Sequence, residues 1–183
     1  DRPISPYAAT KKTVEVLSHV YHHLYGIDMA LLRFFTVYGP GQRPDLAIHK
    51  FTRLMMEGSG ITAFGDGSME RDYTYIDDII DGTVKAMDHV NSGEGIYEVF
   101  NLGESRTVRL DELIMMLEKN IGVKAVVKWA DEQPGDVKRT FADISKAKNI
   151  LGYDPSTPIE KGLEIFVDWC GRYYGKDCHK ENR

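Results

Sequence analysis

Residues 29–35, Met-Ala-Leu-Leu-Arg-Phe-Phe, form a short and almost wholly apolar run that follows closely on a helical pattern ending at Gly26. Such a run predicts a strand buried on both faces, the situation of a parallel sheet covered by helices. Upstream, Leu17, Val20, Tyr21 and Leu24 repeat at i, i+3, i+4, i+7, so a helix is expected over Pro6–Tyr25 with that stripe turned inward. Ser5 is its candidate N-cap, Pro6 falls at the first helical position, and Gly26 supplies the stop. A helix leading into a doubly covered strand is half of a crossover unit, and the expected class is α/β.

Downstream, residues 36–46 are rich in Gly and Pro and read as a long loop at the strand's C-terminal end, where open α/β sheets bind ligands. A helix is expected over 48–56, a strand over 61–64, a turn at Gly65-Asp66-Gly67 and a second, alternating strand over 70–76. Asp77 or Asp78 is the candidate cap of the next helix, with a core stripe of Ile79, Ile80, Thr83, Val84 and Met87. Further strands are expected over 97–102 and 125–129, around an amphipathic helix carrying Leu110, Leu113, Ile114, Leu117 and Ile121. Residues 130–139 read as a polar loop. Asp143 or Ser145 opens a short helix that ends near Gly152. Thr157-Pro158-Ile159-Glu160 has the form of a capping box, opening a last helix with Ile159, Leu163, Phe166, Val167 and Cys170 inward.

A chain of 183 residues with 42% hydrophobic side chains can bury a sizeable core. Its net charge of −5 gives no footing for nucleic acid or an anionic membrane as partner, and no apolar run is long enough to span a bilayer. Two cysteines without a CxxC pair indicate a reducing, cytoplasmic setting. The first residue is Asp1 rather than Met, which creates the expectation that sequence upstream has been removed. His19, His22 and His23 could set two imidazoles on one helix face for zinc, but lack an evident carboxylate or thiol partner, so a solvated helix face is expected and no metal site. Asp77-Asp78 could hold a cation, although helix capping explains the pair equally well.

Tyr7 and Lys11 lie one helical turn apart on one face. A nearby ammonium favours the tyrosinate, so the pair can serve as an acid–base couple for a hydroxyl or carbonyl. Arg43, in the Gly/Pro loop after Thr36, presents a fork that matches a carboxylate. Arg71 is suited to a phosphate, or to pairing with Glu70 or Asp72. Gln133 and Asp136 flank Pro134-Gly135 on a turn that can bind ribose hydroxyls or be an ordinary turn.

Tyr7-Ala8-Ala9-Thr10-Lys11 resembles the YxxxK motif of extended short-chain dehydrogenases/reductases. Residues 33–40 (Arg-Phe-Phe-Thr-Val-Tyr-Gly-Pro) resemble that family's strand and loop after the catalytic helix. Gly65-Asp66-Gly67 through Asp78 resembles its nucleotide-sugar-binding hairpin, and Pro134-Gly135-Asp136 with residues 142–147 its later substrate segments. The resemblance runs from residue 3 to about 174. Within the family, Thr36 with residues 41–47 is most similar to UDP-glucuronate 4-epimerases.

The resemblance implies the C-terminal part of a Rossmann-like doubly wound sheet plus a smaller mixed α/β substrate-binding domain. Residues 1–46 would be the remnant of the dinucleotide-binding domain, 47–174 the substrate-binding region with some segments returning to the Rossmann part, and 175–183 a frayed tail. It further implies an NAD-dependent nucleotide-sugar epimerase in which Tyr7 is the base, while Lys11 binds the nicotinamide ribose and tunes Tyr7. Thr36 and Arg43 would meet the sugar carboxylate, Arg71 the diphosphate, and Gln133 and Asp136 the uridine ribose. UDP-glucose epimerisation, UDP-glucuronate decarboxylation, dehydration and a non-catalytic nucleotide-sugar-binding or dimerisation module are the alternatives. No Gly-x-x-Gly-x-x-Gly follows a strand in this sequence, so the chain alone is expected neither to retain NAD tightly nor to turn over. Family members dimerise through the helix that bears the tyrosine, so a homodimer or other self-association is expected.

Overall fold

The computed structural model describes residues 3–132 and 136–175. Gln133 therefore lies outside the described residues, as does the expected tail beyond Gly175. The order is α1 (Pro6–Tyr25), β1 (Met29–Phe34), β2 (Thr36–Tyr38), α2 (Ala47–Met56), β3 (Ile61–Phe64), β4 (Glu70–Arg71), β5 (Tyr73–Tyr75), α3 (Ile76–Ser92) and β6 (Tyr97–Leu102). There follow β7 (Val108–Arg109), α4 (Leu110–Ile121), β8 (Val127–Ala130), α5 (Ser145–Leu151) and α6 (Ile159–Tyr173).

The predicted strand at 29–35 does not stop where the Gly/Pro loop was expected to start. Its backbone runs on as β2 and changes partner at Phe35. β1 pairs in parallel with β6, Met29 opposite Tyr97 through Phe34 opposite Leu102. The Phe35 N–H still reaches the Leu102 carbonyl, but the Thr36 N–H bonds the carbonyl of Asp72, and β2 then pairs in parallel with β5. The alternating strand expected over 70–76 is likewise two strands. β4 pairs antiparallel with β7, β5 parallel with β2, and Ile76 already belongs to α3. No hairpin forms between β3 and this segment, because β3 pairs in parallel with β8. Asp72, wholly buried, sits at the break.

Two cores result. The larger packs α2, α4 and α6 against β2, β3 and β5, with Tyr38, Ile48, Phe51, Leu113, Leu117, Leu163 and Phe166 among its members. Each large apolar side chain taken fully out of water there contributes about 1.5–3 kcal/mol of transfer free energy. Gly162 allows α6 to seat: a Cβ there would fall 2.0 Å from the Tyr38 hydroxyl oxygen. The smaller core joins Ile79 of α3, Phe100 and Leu102 of β6, Ala147 of α5 and Tyr153, with Ala30, Leu32 and Val37 packed against it.

Two of the expected caps do not form. Tyr75 stands at the N-cap of α3 with no side-chain bond, so neither Asp77 nor Asp78 caps it. The Asp78 carboxylate instead accepts the N–H groups of Ser156 and Thr157 and pins the entry to α6. Pro158, not Thr157, is the N-cap of α6, and no capping box forms. The Thr157 backbone is already engaged with Asp78.

The apolar stripe of α1 faces outward rather than into a core. Leu17, Val20, Tyr21 and Leu24 are 44–62% exposed, and the helix has no buried residue. β1 is at most half-buried, and Ile80, Val84 and Met87 of α3 are exposed. Amphipathic spacing marks faces built to be covered, but it does not say by what. Here no segment among the described residues covers them.

Candidate active site

α1 starts as its first residues dictate. The Ser5 hydroxyl oxygen accepts the Ala8 N–H at 3.1 Å, and Pro6 occupies the first turn. Tyr7 is then 71% exposed, and the Lys11 ammonium stands 5.5 Å from the centroid of its ring. Polar groups hold the helix to the sheet. Arg33 of β1 donates two hydrogen bonds to the Glu15 carboxylate, at 2.6 and 2.7 Å, and Lys12 reaches the same carboxylate at 3.0 Å. Arg33 above all, with Lys12, keeps the Glu15 carboxyl down at about 2. The Tyr97 hydroxyl donates to the Glu15 carbonyl at 2.5 Å. His19 and His22 pack their rings on Tyr97, and no metal-binding cluster occurs among the described residues.

After β2 the chain turns through Gly39, whose φ of +143° is one that L side chains rarely adopt, and where a Cβ would lie 2.5 Å from Ile76 Cγ2. The following loop is fastened to α2 by residues that sequence reasoning passed over. The Gln42 amide donates to the Val37 carbonyl at 2.9 Å and its oxygen accepts the His49 N–H at 3.2 Å. His49, 3% exposed, turns Nδ1 to the Gln42 carbonyl. That nitrogen therefore carries the proton, and Nε2 accepts from the Tyr174 hydroxyl at 2.9 Å. A buried histidine at the start of a helix is the only sequence signal for this network.

The loop so held presents Arg43 beside a cavity of about 190 Å³ lined in part by Val37, Tyr38, Gln42 and Ile76. The Arg43 fork pairs with the Asp45 carboxylate through Nε at 3.0 Å and Nη2 at 2.6 Å. This pairing raises the guanidinium pKa.

Arg71 pairs with neither Glu70's nor Asp72's carboxylate. It donates to Asp136 at 2.9 Å and to the Glu70 carbonyl at 3.0 Å, and its side chain is 20% exposed. Thr36, half-buried, joins this group through the backbone bond to Asp72. Arg71 and Asp136 are thus brought together, with Thr36 beside them across the β2–β5 ladder, while Tyr7 and Lys11 share a face of α1 and Arg43 pairs with Asp45 in the loop after β2. The contribution expected of Gln133 falls on an undescribed position.

Glu104 was not foreseen either. Its Oε2 is the one buried side-chain oxygen or nitrogen without a hydrogen-bond partner among the described residues. Burial, then the carboxylates of Asp78 and Asp72, push its pKa up to about 7. The folded protein therefore binds a proton that the unfolded chain releases at an ordinary carboxyl pKa, and stability falls as pH rises from about 4.5 to 7. Glu104→Gln is expected to stabilise the chain at pH 8, by about 1–2 kcal/mol once solvent screening of this half-exposed group is discounted, and by much less at pH 4.5. Urea unfolding of both proteins at the two pH values checks this, and an equal effect at both would refute it.

The model of the NAD dependent epimerase/dehydratase family matches residues 1–103. A UDP-glucuronate 4-epimerase of Thermodesulfobacterium geofontis is 46% identical over 170 residues, covering 92% of this chain and 51% of the relative. A Bacillus cereus UDP-glucuronic acid 4-epimerase, solved with UDP-glucuronic acid and NAD, superposes with a TM-score of 0.89 at 44% identity, over 94% of this chain and 55% of that one. A Thermotoga maritima UDP-glucose 4-epimerase, solved with UDP-glucose, gives a TM-score of 0.87 at 32% identity, over 94% of this chain and 55% of that one. The chain spans about half the length of the curated relatives it matches.

Proposed function

The chain belongs to the NAD dependent epimerase/dehydratase family, and from that premise we propose that it is the substrate-binding part of a UDP-glucuronate 4-epimerase. The observation that carries the choice of sugar is the Arg43 fork, which already holds a carboxylate in bidentate geometry. The 44–46% identity to UDP-glucuronate 4-epimerases, against 32% to a UDP-glucose 4-epimerase, supports the same sugar.

In this reading Tyr7 accepts the proton of the sugar C4 hydroxyl and returns it after the ring has turned over. Lys11 holds positive charge beside that phenol. NAD, when bound, supplies the acceptor and donor of the C4 hydride. A phenol and an ammonium on one open helix face fit the hydroxyls of its ribose, and Tyr7 and Lys11 are the residues of this chain that would hold it. Arg71 neutralises the diphosphate, while Asp136, with Gln133, takes the uridine ribose. A 4-keto glucuronate is a β-keto acid and prone to lose CO₂. Arg43 and Thr36 oppose that loss by fixing the carboxylate's orientation.

We assign residues 1–46 to the end of a dinucleotide-binding domain and 47–174 to the substrate-binding region. The smaller core, which joins α3, β6 and α5 to β1, supports a return of those segments to the first part. The exposed stripe of α1 is proposed as a contact with a second copy of the chain, which sedimentation velocity tests. No helix among the described residues is long and apolar enough to cross a membrane, and a cytoplasmic setting is the reading the cysteine usage favours.

Binding of UDP, UDP-glucose and UDP-glucuronate to this chain tests the proposal directly. UDP-glucuronate is expected to bind most tightly, and Arg43→Ala to weaken it about tenfold or more while changing UDP-glucose less than twofold. Equal losses for both sugars would remove the case for glucuronate.

A further inference from the structure

We propose that Asp45 is an internal competitor for the substrate carboxylate, a residue that sets how tightly acidic sugars are held and how readily they leave. The inference rests on the role given to Arg43 above and deepens it. Arg43 and Asp45 are separated only by Pro44, whose ring fixes one backbone torsion between them. Both guanidinium edges used, Nε and Nη2, face one carboxylate in a fork-to-fork arrangement, the geometry an incoming carboxylate would need. The two groups cannot share that fork. An acidic ligand that docks on this Nε–Nη2 edge must therefore displace Asp45, whereas a neutral sugar leaves the pair intact.

Displacement is feasible because the pair is open to water, with 74% of the Arg43 and 63% of the Asp45 side chain exposed. Water screens both charges of such an exposed pair and limits what the pairing gains. Proximity makes the competition persistent: Asp45 is tethered two residues away and is present at high local concentration whether or not ligand is bound. The pairing also holds the Asp45 carboxyl below the ordinary aspartate range, and loss of its partner reverses that effect. Since both epimers of a uronic acid carry the same carboxylate, the competitor weakens substrate and product alike and favours release.

The test is a double-mutant cycle on this chain with UDP-glucuronate and UDP-glucose as probes, read by NMR at ligand concentrations up to millimolar. Asp45→Asn is expected to tighten UDP-glucuronate about two- to fivefold and to leave UDP-glucose unchanged, and the gain should vanish in an Arg43→Ala background. In the unaltered chain, the carboxyl-carbon titration of Asp45 should move up towards that of a free aspartate on adding UDP-glucuronate and stay in place with UDP-glucose. Equal tightening of both sugars would show a general charge effect, and weakening of both would make Asp45 a substrate ligand. Either result overturns the competitor while leaving the role of Arg43 standing. If the unaltered chain binds the two sugars equally, or neither, the glucuronate reading itself falls and takes the competitor with it.

Discussion

Tyr7→Phe is expected to lower turnover about 10²–10⁴-fold, in a protein that joins this chain to a cofactor-binding half, without altering the fold. The substitution removes one hydroxyl and keeps the ring. That ring is 71% exposed, and its contact with the Lys11 ammonium, 5.5 Å from the centroid, depends on the π face rather than on oxygen. The Thr10 hydroxyl bonds the Tyr7 backbone carbonyl, which the change leaves in place. Melting of the chain should therefore stay within about 0.5 kcal/mol of the parent, as for ordinary surface changes. UDP-glucuronate affinity should also persist, because the groups assigned to the carboxylate and diphosphate, Arg43 and Arg71, are untouched. A loss confined to the chemical step, with binding and stability retained, is what distinguishes a proton-transferring phenol from a packing residue. Activity within threefold of the parent would end the catalytic assignment.

The parts of this arrangement that were legible in the sequence are those encoded within a turn or two of helix. α1 begins and ends at Ser5, Pro6 and Gly26 because caps are local chemistry, and the Tyr7–Lys11 pairing follows from helical periodicity alone. The buried face of α4, with Leu113, Ile114, Leu117 and Ile121, was readable for the same reason. What escaped depends on distant partners. The change of partner at Phe35 is decided by β6 and β5, and nothing in residues 29–38 announces it. Asp78 has the right position for a cap but meets backbone amides 78 and 79 residues away. The α1 stripe has the spacing of a core face, yet periodicity cannot say whether the covering surface is in the same chain. In the Gly/Pro loop, the Arg43 fork was legible as a match for a carboxylate, while Asp45 as the carboxylate it meets was not, because alternatives at i+2 depend on how the loop turns.

Asp72→Ala is the substitution expected to damage the fold most, by about 4 kcal/mol or more, although the residue reads in sequence as one of several charged neighbours of Arg71. Asp72 is wholly buried, and its carboxylate accepts the N–H groups of Glu104 at 2.9 Å, Ser105 at 3.0 Å and Ala142 at 3.0 Å, with the Thr74 hydroxyl at 3.2 Å. Alanine leaves three backbone donors from two separate segments without a partner. Each orphaned donor costs about 1–3 kcal/mol when water cannot reach it. Gly103 shows how tightly the carboxylate is enclosed: a Cβ there would lie 3.3 Å from both of its oxygens and 2.3 Å from Ala142 Cβ. Asparagine keeps the shape but turns an amide N–H₂ towards other N–H donors, so Asp72→Asn should cost about half as much and remain foldable if the alanine variant does not. Urea unfolding of the two variants gives the comparison, and a cost under about 1 kcal/mol for both would show that the donors find other acceptors. The backbone of the same residue holds Thr36 at 3.1 Å, next to the Arg71–Asp136 pair. Loss of the carboxylate should therefore also weaken UDP-sugar binding in any molecules that still fold, through the placement of Thr36 and Arg71 rather than through any contact of Asp72 with the ligand.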